Sequence, residues 1–325
     1  MNVGVCDYAV TKTTFEGVVV TLEQLRIFVC VAERLNMTRA AEALHITQSG
    51  VSASISALES TYGTPLFDRV GRRIELSVAG HAFLAEAEKV LNQVRSAQRT
   101  LSDLSNLRRG TVSICASQTV GNYWLPQLIA DFQEGFPHLG IELHISNTAG
   151  VGRMVLDGGV ELGLVEGRFA DPALRGFEID GDRMCVVVPP GHPWATRAPS
   201  QDALLHAGWV VREEGSGTRS EFIRALDAMG LDTGELNIRL ELPTNESVRS
   251  AVMAGVGPGA LSDLVVREAV QSGALVRVPV DLPRRAFRMF HHAERKLSRA
   301  AEMFLKSLPA PRRTEAPELR LVANA

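Results

Sequence analysis

The chain has 325 residues, of which 45% are hydrophobic and 22% are charged, and its formal net charge is −3. This length suffices for two or three domains with a core each, and the composition is ordinary for a globular protein. Because the net charge is slightly negative, a basic surface for nucleic acid would have to be local. An aromatic content of 6% argues against a stacking platform for single strands.

No stretch reaches the roughly 18 apolar residues of a membrane helix, and the first twenty residues lack a signal-peptide pattern. We therefore expect a cytoplasmic protein. Three of the four cysteines sit in apolar runs, which predicts buried thiols, with redox sensing as the alternative. No cofactor is indicated, and His291-His292 lacks a partner at metal-ligand spacing, so we expect this pair on a strand.

The N-terminal part predicts a small helical domain. Residues 1–20 show no period and are expected to be an extension, whereas residues 21–77 predict three helices followed by two short strands. Thr38 is the predicted N-cap of the second helix, and Thr47 is the predicted N-cap of the third, which Gly63 ends. Three helices with a tight turn and a two-stranded wing describe a winged helix-turn-helix, which binds DNA.

The third helix opens with small polar side chains, which suit the reading of base edges in the major groove. Arginines of the wing are placed to contact phosphates. Residues 22–76 contain six arginines and six acidic residues, so this segment has no net charge. DNA binding must therefore rely on where the arginines lie and on helix N-termini. The predicted DNA-contact residues are Thr38, Arg39, Thr47, Gln48, Ser49, Ser52, Ser54, Arg69, Arg72 and Arg73.

Residues 78–109 predict one long helix that links the two halves of the chain. Its apolar residues recur at alternating spacings of four and three, the heptad seam of a coiled coil. We expect this seam to pair two chains; the alternative is an amphipathic helix that packs on its own domain. The predicted seam consists of Phe83, Ala87, Val90, Val94, Ala97, Leu101 and Leu104.

After the linker, strands alternate with helices, which predicts an α/β class with parallel sheets covered by helices. Two such series within residues 110–308 suggest two lobes. Lobe I is expected at residues 110–186 and 286–308, and lobe II at residues 187–285. Residues 309–325 have the composition of a disordered tail.

An ordered series of motifs runs through the first 80 residues. It reads Leu25-Arg26-x-Phe28, Val31-Ala32-Glu33, Thr38-Arg39-Ala40-Ala41-Glu42-x-Leu44-x-Ile46-Thr47-Gln48-Ser49, Leu58-Glu59, Gly63-Thr64-Pro65-Leu66-Phe67-Asp68-Arg69 and Leu76-Ser77-x-Ala79-Gly80. This series resembles the LysR-type transcriptional regulators. One departure is Ala53, where many relatives carry arginine. The chain is therefore expected to read its site through Gln48, Ser49, Ser52 and DNA shape.

The resemblance implies a homodimer or homotetramer on double-stranded operator DNA, with RNA polymerase as a further partner. It also implies a C-terminal domain similar to type 2 periplasmic binding proteins, which hold a ligand between two lobes. No GxSxG, HExxH or Walker motif is present, so we do not expect an enzyme. The alternative function is a DNA-binding regulator whose C-terminal domain serves assembly only, without a ligand.

Four junctions between strands and helices carry hydroxyls or amides beside free helix N–H groups, which favours a small anion as effector. The alternative for each junction is ordinary N-capping. Arg219 supplies their only full positive charge. Glu166 is expected to pair with Arg219 or to accept hydrogen bonds from a protonated ligand group. The predicted effector-binding residues are Ser117, Gln118, Thr119, Asn147, Thr148, Glu166, Ser216, Thr218, Arg219 and Asn245.

The segments at residues 116–126, 146–148, 164–167 and 212–219 look like those of the family branch linked to sulfur and carbon-fixation genes. This resemblance implies a small oxyanion or a short carboxylate as the effector.

Overall fold

The computed structural model describes residues 20–71, 73–105 and 110–309. The predicted extension up to residue 19, the predicted tail from residue 310 and Arg72 lie outside the described residues. The chain divides into two compact units between Val94 and Arg95, and each is described by itself. Within the described ranges, no helix has both the length and the apolar character needed to span a membrane.

The N-terminal unit contains three helices and a hairpin. These elements are α1 (Leu22–Arg34), α2 (Met37–Leu44), α3 (Gln48–Tyr62), β1 (Phe67–Val70) and β2 (Arg73–Leu76). The predicted cap and stop of α3 are confirmed, because Thr47 accepts a hydrogen bond from the Gly50 N–H at 3.1 Å and Gly63 adopts a φ of 61°.

The N-cap predicted for α2 is wrong. Thr38 lies inside the helix, and the cap is Asn36, whose side-chain oxygen accepts from the Arg39 N–H at 3.0 Å. The preceding residue, Leu35, ends α1 in the left-handed region, and the backbone at Asn36 is then extended, as an N-cap requires. Asparagine and threonine are both good N-caps, so residue type alone could not show whether α2 begins after Asn36 or after Thr38.

The long helix α4 (Val78–Ser105) packs its first half on the N-terminal unit. The ring of Phe28 lies 4.9 Å from that of Phe83, and Ala87 is only 1% exposed. These two seam residues therefore serve the core of their own domain, contrary to the prediction that they pair two chains. Apolar residues at alternating spacings of four and three indicate that a helix has an apolar face, but they do not indicate which surface packs against that face.

The remaining seam residues stay more accessible. Val90 and Leu101 are 44% and 67% exposed, Ala97 is exposed and Val94 is half-buried. The side chain of Leu104 and residues 106–109, the predicted end of the helix, lie outside the described residues.

The C-terminal unit is built on one mixed sheet. Its strands are β3 (Thr111–Ser117), β4 (Gly140–Ser146), β5 (Leu162–Glu166), β6 (Leu174–Val188), β7 (Trp209–Arg212), β8 (Ile238–Leu242), β9 (Gly259–Ser262), β10 (Val276–Arg277) and β11 (Arg284–His292). Its helices are α5 (Leu125–Gly135), α6 (Thr148–Leu156), α7 (Gln201–His206), α8 (Gly217–Ala228), α9 (Asn245–Met253), α10 (Asp263–Gln271) and α11 (Arg299–Ser307), with a π-helical turn at Val120–Trp124.

The strand order is β4-β3-β5-β11-β6-β9-β7-β8, with β10 on β6. Strand β3 is parallel to β4 and β5, and β7 is parallel to β8 and β9. The middle strands β11 and β6 pair antiparallel with each other and with their neighbours, so the prediction of parallel sheets does not hold for these two strands. Loops rather than helices lead into β6 and β11, and only helical crossovers favour parallel neighbours.

Strand β6 joins two lobes. Its first half pairs with β11 beside β5, and its second half, from Met184, pairs with β9. We call the β3–β5 side lobe I and the β7–β9 side lobe II. The strand crosses between them at residues 180–183, before the boundary of 186 that the sequence suggested. Lobe I packs around Phe287 and Phe304, and lobe II around Trp209.

The described cysteines and the paired histidines lie where the sequence predicted. Cys30, Cys115 and Cys185 are free and buried, and His291-His292 lies at the end of β11. Burial raises the pKa of Cys115 to about 12 and that of Cys185 to about 11. Within the described residues, no group of three histidine, cysteine or acidic side chains is placed to hold a metal ion.

Candidate functional site

The outer face of α3 carries polar and small side chains. Gln48, Ser49 and Ala53 are exposed, whereas the opposite face packs into the core through Val51 and Ile55. The side-chain amide of Gln48 donates to Ser52 at 2.9 Å, which holds both groups on the exposed face. This face has the chemistry of a recognition helix, because amides and hydroxyls read base edges.

Cations flank this helix on the surface. Arg39 on α2 and the wing residues Arg69 and Arg73 are exposed, and none forms an ion pair within the described part of the chain. Thr38 is also exposed. Ser54 is half-buried and lies nearer the packed side of α3 than the other predicted contacts. Free arginines beside a polar helix are suited to phosphate contacts.

The predicted effector junctions meet where the strands of the two lobes end. From lobe I, the Gln118 amide nitrogen donates to the Pro243 carbonyl oxygen at 2.9 Å, and its oxygen accepts from the Asn245 N–H at 3.0 Å. The Asn147 amide donates to Glu213 at 3.1 Å. The Ala149 N–H donates to the Gly215 carbonyl oxygen at 3.1 Å. The two walls therefore contact each other directly.

Glu166, at the end of β5, is the most buried carboxylate of this cleft. It is 1% exposed and accepts hydrogen bonds from the hydroxyls of Ser117 and Thr218, the latter at 3.1 Å. Its carbonyl oxygen accepts from the Thr148 hydroxyl at 2.9 Å. A Cβ atom at Gly217 would collide with that carbonyl oxygen, so glycine permits the close approach of α8 to β5.

A second chain of hydrogen bonds runs beside Glu166. The Asn245 amide donates to the Thr119 hydroxyl at 3.1 Å and accepts from Arg212 at 2.6 Å. Arg212 is 2% exposed and also donates to Glu213 at 2.7 and 2.8 Å. Burial works to raise the pKa of Glu213, but the hydrogen bonds and charge of Arg212 outweigh it and lower this pKa.

Ser216 is the exception in this network. It is the N-cap of α8 and 3% exposed, yet its hydroxyl has no hydrogen-bond partner among the described residues. The glycines on either side touch lobe I, Gly215 beside Asn147 and Gly217 beside Glu166. Buried hydroxyls are nearly always satisfied, so an unpaired one at a helix N-terminus between two lobes is a candidate hydrogen-bond donor for a ligand.

Arg219 does not occupy the position that the sequence suggested. Its guanidinium donates to Glu241 at 2.5 Å and to the Arg212 carbonyl oxygen at 3.4 Å, so it does not pair with Glu166. Arg219 is the third residue of α8, and the turn of the helix directs its side chain to Glu241 on β8. The remaining nine predicted residues converge at the cleft.

Three residues of the cleft were missed by sequence reasoning. Arg212 and Glu213 end β7 and begin the next loop, and the Tyr123 hydroxyl donates to Glu246 in lobe II at 2.7 Å. An arginine that ends an apolar strand is a signal that could have identified the first of them. The tyrosine lies in a π-helical turn, which apolar periodicity does not reveal.

Two family models match the chain. Residues 22–81 match the bacterial regulatory helix-turn-helix protein of the lysR family, and residues 105–310 match the LysR substrate binding domain. The first match lies within the N-terminal unit and the second within the C-terminal unit.

Similar proteins agree with these matches. A probable RuBisCO transcriptional regulator of Trichormus variabilis is 31% identical, over 89% of this chain and 87% of that protein. The uncharacterized HTH-type regulator YeiE of Escherichia coli K12 is 34% identical, over 88% and 96%. The fold resembles that of full-length CbnR complexed with its target DNA, with 20% identity, a TM-score of 0.63 and coverage of 89% and 98%. The chain therefore belongs to the LysR family of DNA-binding transcriptional regulators.

Proposed function

We propose that the cleft between the lobes binds a small oxyanion, and that this ligand changes how a homodimer or homotetramer engages operator DNA. The observation that carries the proposal is the buried, unpaired hydroxyl of Ser216 at the start of α8. The N-termini of α6 and α9 lie at the same cleft, and helix N-termini favour negative charge.

Exposed apolar residues on α4 support the oligomeric part of the proposal. Val90 and Leu101 stand uncovered on a 28-residue helix, which suits helix-on-helix pairing between two chains. Pairing would place two recognition helices on half-sites about one helical turn, or a multiple of it, apart. Because curated relatives are named as probable RuBisCO regulators, DNA upstream of carbon-fixation genes is the first operator to test, beside the chain's own upstream DNA.

The test is a thermal-shift screen of the full chain with small oxyanions and short carboxylates. A ligand of the cleft should raise the melting temperature, because binding to the folded state stabilises it. The Ser216→Ala variant should lose most of the upshift. Ser220→Ala, an exposed serine one turn later on α8, is the matched control and should keep it. An equal rise in melting temperature in Ser216→Ala would show that the Ser216 hydroxyl does not contact the ligand.

A domain that serves assembly only remains the second candidate, and the direct hydrogen bonds between the lobes favour it. Gln118, Asn147 and Tyr123 each donate a side-chain hydrogen bond from lobe I to lobe II. If no compound of the screen changes the melting temperature or the DNA affinity of the full chain, the assembly function is the better account.

A further inference from the structure

Glu166 is held by hydroxyl groups and not by cations. Its carboxylate accepts from Ser117 and Thr218, both buried. The nearby arginines form their ion pairs with other carboxylates: Arg212 with Glu213, Arg219 with Glu241 and Arg285 with Asp182. The charge of Glu166 also acts on Arg285, but without an ion pair. Among the described residues, no lysine, arginine or histidine therefore forms an ion pair with Glu166.

The charges around Glu166 sum to a negative value. The half-buried Glu213 and the buried Arg212 neutralise each other, as do the buried Asp182 and Arg285, which leaves the −1 of Glu166. A fully ionised oxyanion would bring only acceptor atoms and more negative charge to Glu166, and this repulsion is strong where water is excluded. An oxyanion that keeps one O–H would donate a hydrogen bond to the same carboxylate instead.

The hydrogen-bonding capacity of the two polar groups fits such a ligand. A carboxylate accepts about four hydrogen bonds, and Ser117 and Thr218 provide two side-chain donors to Glu166. The hydroxyl of Ser216 has no partner within the described residues and can donate to a ligand oxygen. A ligand that offers both a proton donor and acceptor oxygens would therefore satisfy both groups at once.

We infer that Glu166 makes the cleft select oxyanions that carry a proton, such as hydrogenphosphate or bicarbonate, and exclude sulfate. The inference rests on the proposed function, because it assigns the ligand class of the same cleft. A site built to accept a hydrogen bond from a ligand O–H rejects an analogue that lacks this O–H. The carboxylate oxygens of Glu166 and the ligand oxygens would then lie side by side with no proton between them.

Inorganic phosphate and sulfate are the probes, because both are tetrahedral oxyanions and only phosphate bears an O–H at pH 7. Calorimetric titration of the full chain should give at least ~100-fold tighter binding of phosphate. Glu166→Gln places an amide that donates to sulfate, so the ratio should fall below ~10-fold through a gain in sulfate affinity.

Two further variants separate this effect from misfolding. Glu166→Asp keeps the carboxylate and should keep the preference for phosphate, with weaker binding overall. Glu178→Gln changes a half-buried glutamate on β6 whose ion-pair partner is Arg288, and its ratio should equal that of the unmodified chain.

The outcomes are distinguishable. Equal affinities for the two probes in the unmodified chain, or an unchanged ratio in Glu166→Gln, would overturn the inference and leave the oxyanion cleft standing. Binding of glycine or methylammonium in place of phosphate would also overturn it, because Glu166 would then receive a cation. Failure of both oxyanions to bind the unmodified chain and Glu166→Gln alike would count against the proposed function itself.

Discussion

The hydroxyl of Tyr123 in lobe I donates a 2.7 Å hydrogen bond to Glu246 at the start of α9 in lobe II. Burial and this hydrogen bond raise the pKa of Tyr123 to about 12, so the phenol remains a donor across the physiological range. It adds to the side-chain links between the walls of the cleft that Gln118, Asn147, Thr218 and Asn245 form.

Replacing Tyr123 with phenylalanine should weaken the link between the lobes. We expect a loss of about 1 kcal/mol, the usual contribution of one hydrogen bond, read as a lower melting temperature of the C-terminal unit. Tyr62→Phe is the control, because Tyr62 is 54% exposed in the other unit. An unchanged melting temperature in Tyr123→Phe would show that the 2.7 Å contact does not stabilise the lobes.

The pair of Arg212 and Glu213 predicts a pH dependence of stability. The folded pKa of Glu213 lies below the ordinary value of 4.5, so the pair stabilises the fold above that value. This contribution should be lost as the pH falls through the lowered folded pKa, because the carboxylate then becomes protonated. Thermal melts between pH 7 and pH 3 should fall less steeply for Glu213→Gln than for Glu214→Gln, its exposed neighbour. Parallel curves would contradict the assignment.

The two classes of seam residue on α4 should respond differently to charge. Leu101→Glu and Val90→Glu should abolish dimers in sedimentation while the N-terminal unit stays folded, because both side chains are exposed in the single chain. Ala87→Glu should unfold that unit, because Ala87 is buried in its core and a buried unpaired charge is very costly. An unchanged mass in both Leu101→Glu and Val90→Glu would remove these residues from the oligomer interface.

Three of the four cysteines should resist thiol reagents in the folded chain. Cys30, Cys115 and Cys185 are buried, and burial raises the pKa of each thiol, so little thiolate forms at pH 8. Mass spectrometry after treatment with a maleimide should find these three positions unmodified until denaturant is added. Rapid labelling of Cys115 under native conditions would contradict its burial.

Sequence patterns predicted the cleft better than they predicted its charges. Hydroxyls and amides at strand ends identified the junctions, because strand ends and helix starts follow from local periodicity. The partner of Arg219 depends on which strand runs beside α8, and the sequence order does not specify that β8 supplies Glu241 there. The same limit explains Phe83 and Ala87, whose spacing shows an apolar face but not the surface that covers it.

The wing should supply general affinity for DNA, and the recognition helix α3 should supply discrimination between bases. Arg69→Ala and Arg73→Ala should weaken binding to all sequences and reduce the salt slope by about 0.9 each, since each removes one phosphate contact. Gln48→Ala should instead reduce discrimination between bases, by about 1–3 kcal/mol at one position. Competition assays with operator and random duplexes over a range of salt concentrations measure both effects. A uniform loss in Gln48→Ala would contradict its role in base reading.

The most direct test is the affinity of the full chain for its own upstream DNA, with and without the oxyanion that gives the largest thermal upshift. We predict a change of about 5- to 150-fold, the usual range of coupling between two sites, and no such change in Ser216→Ala. Equal affinities with and without the ligand in the unmodified chain would contradict the claim that the cleft regulates DNA binding.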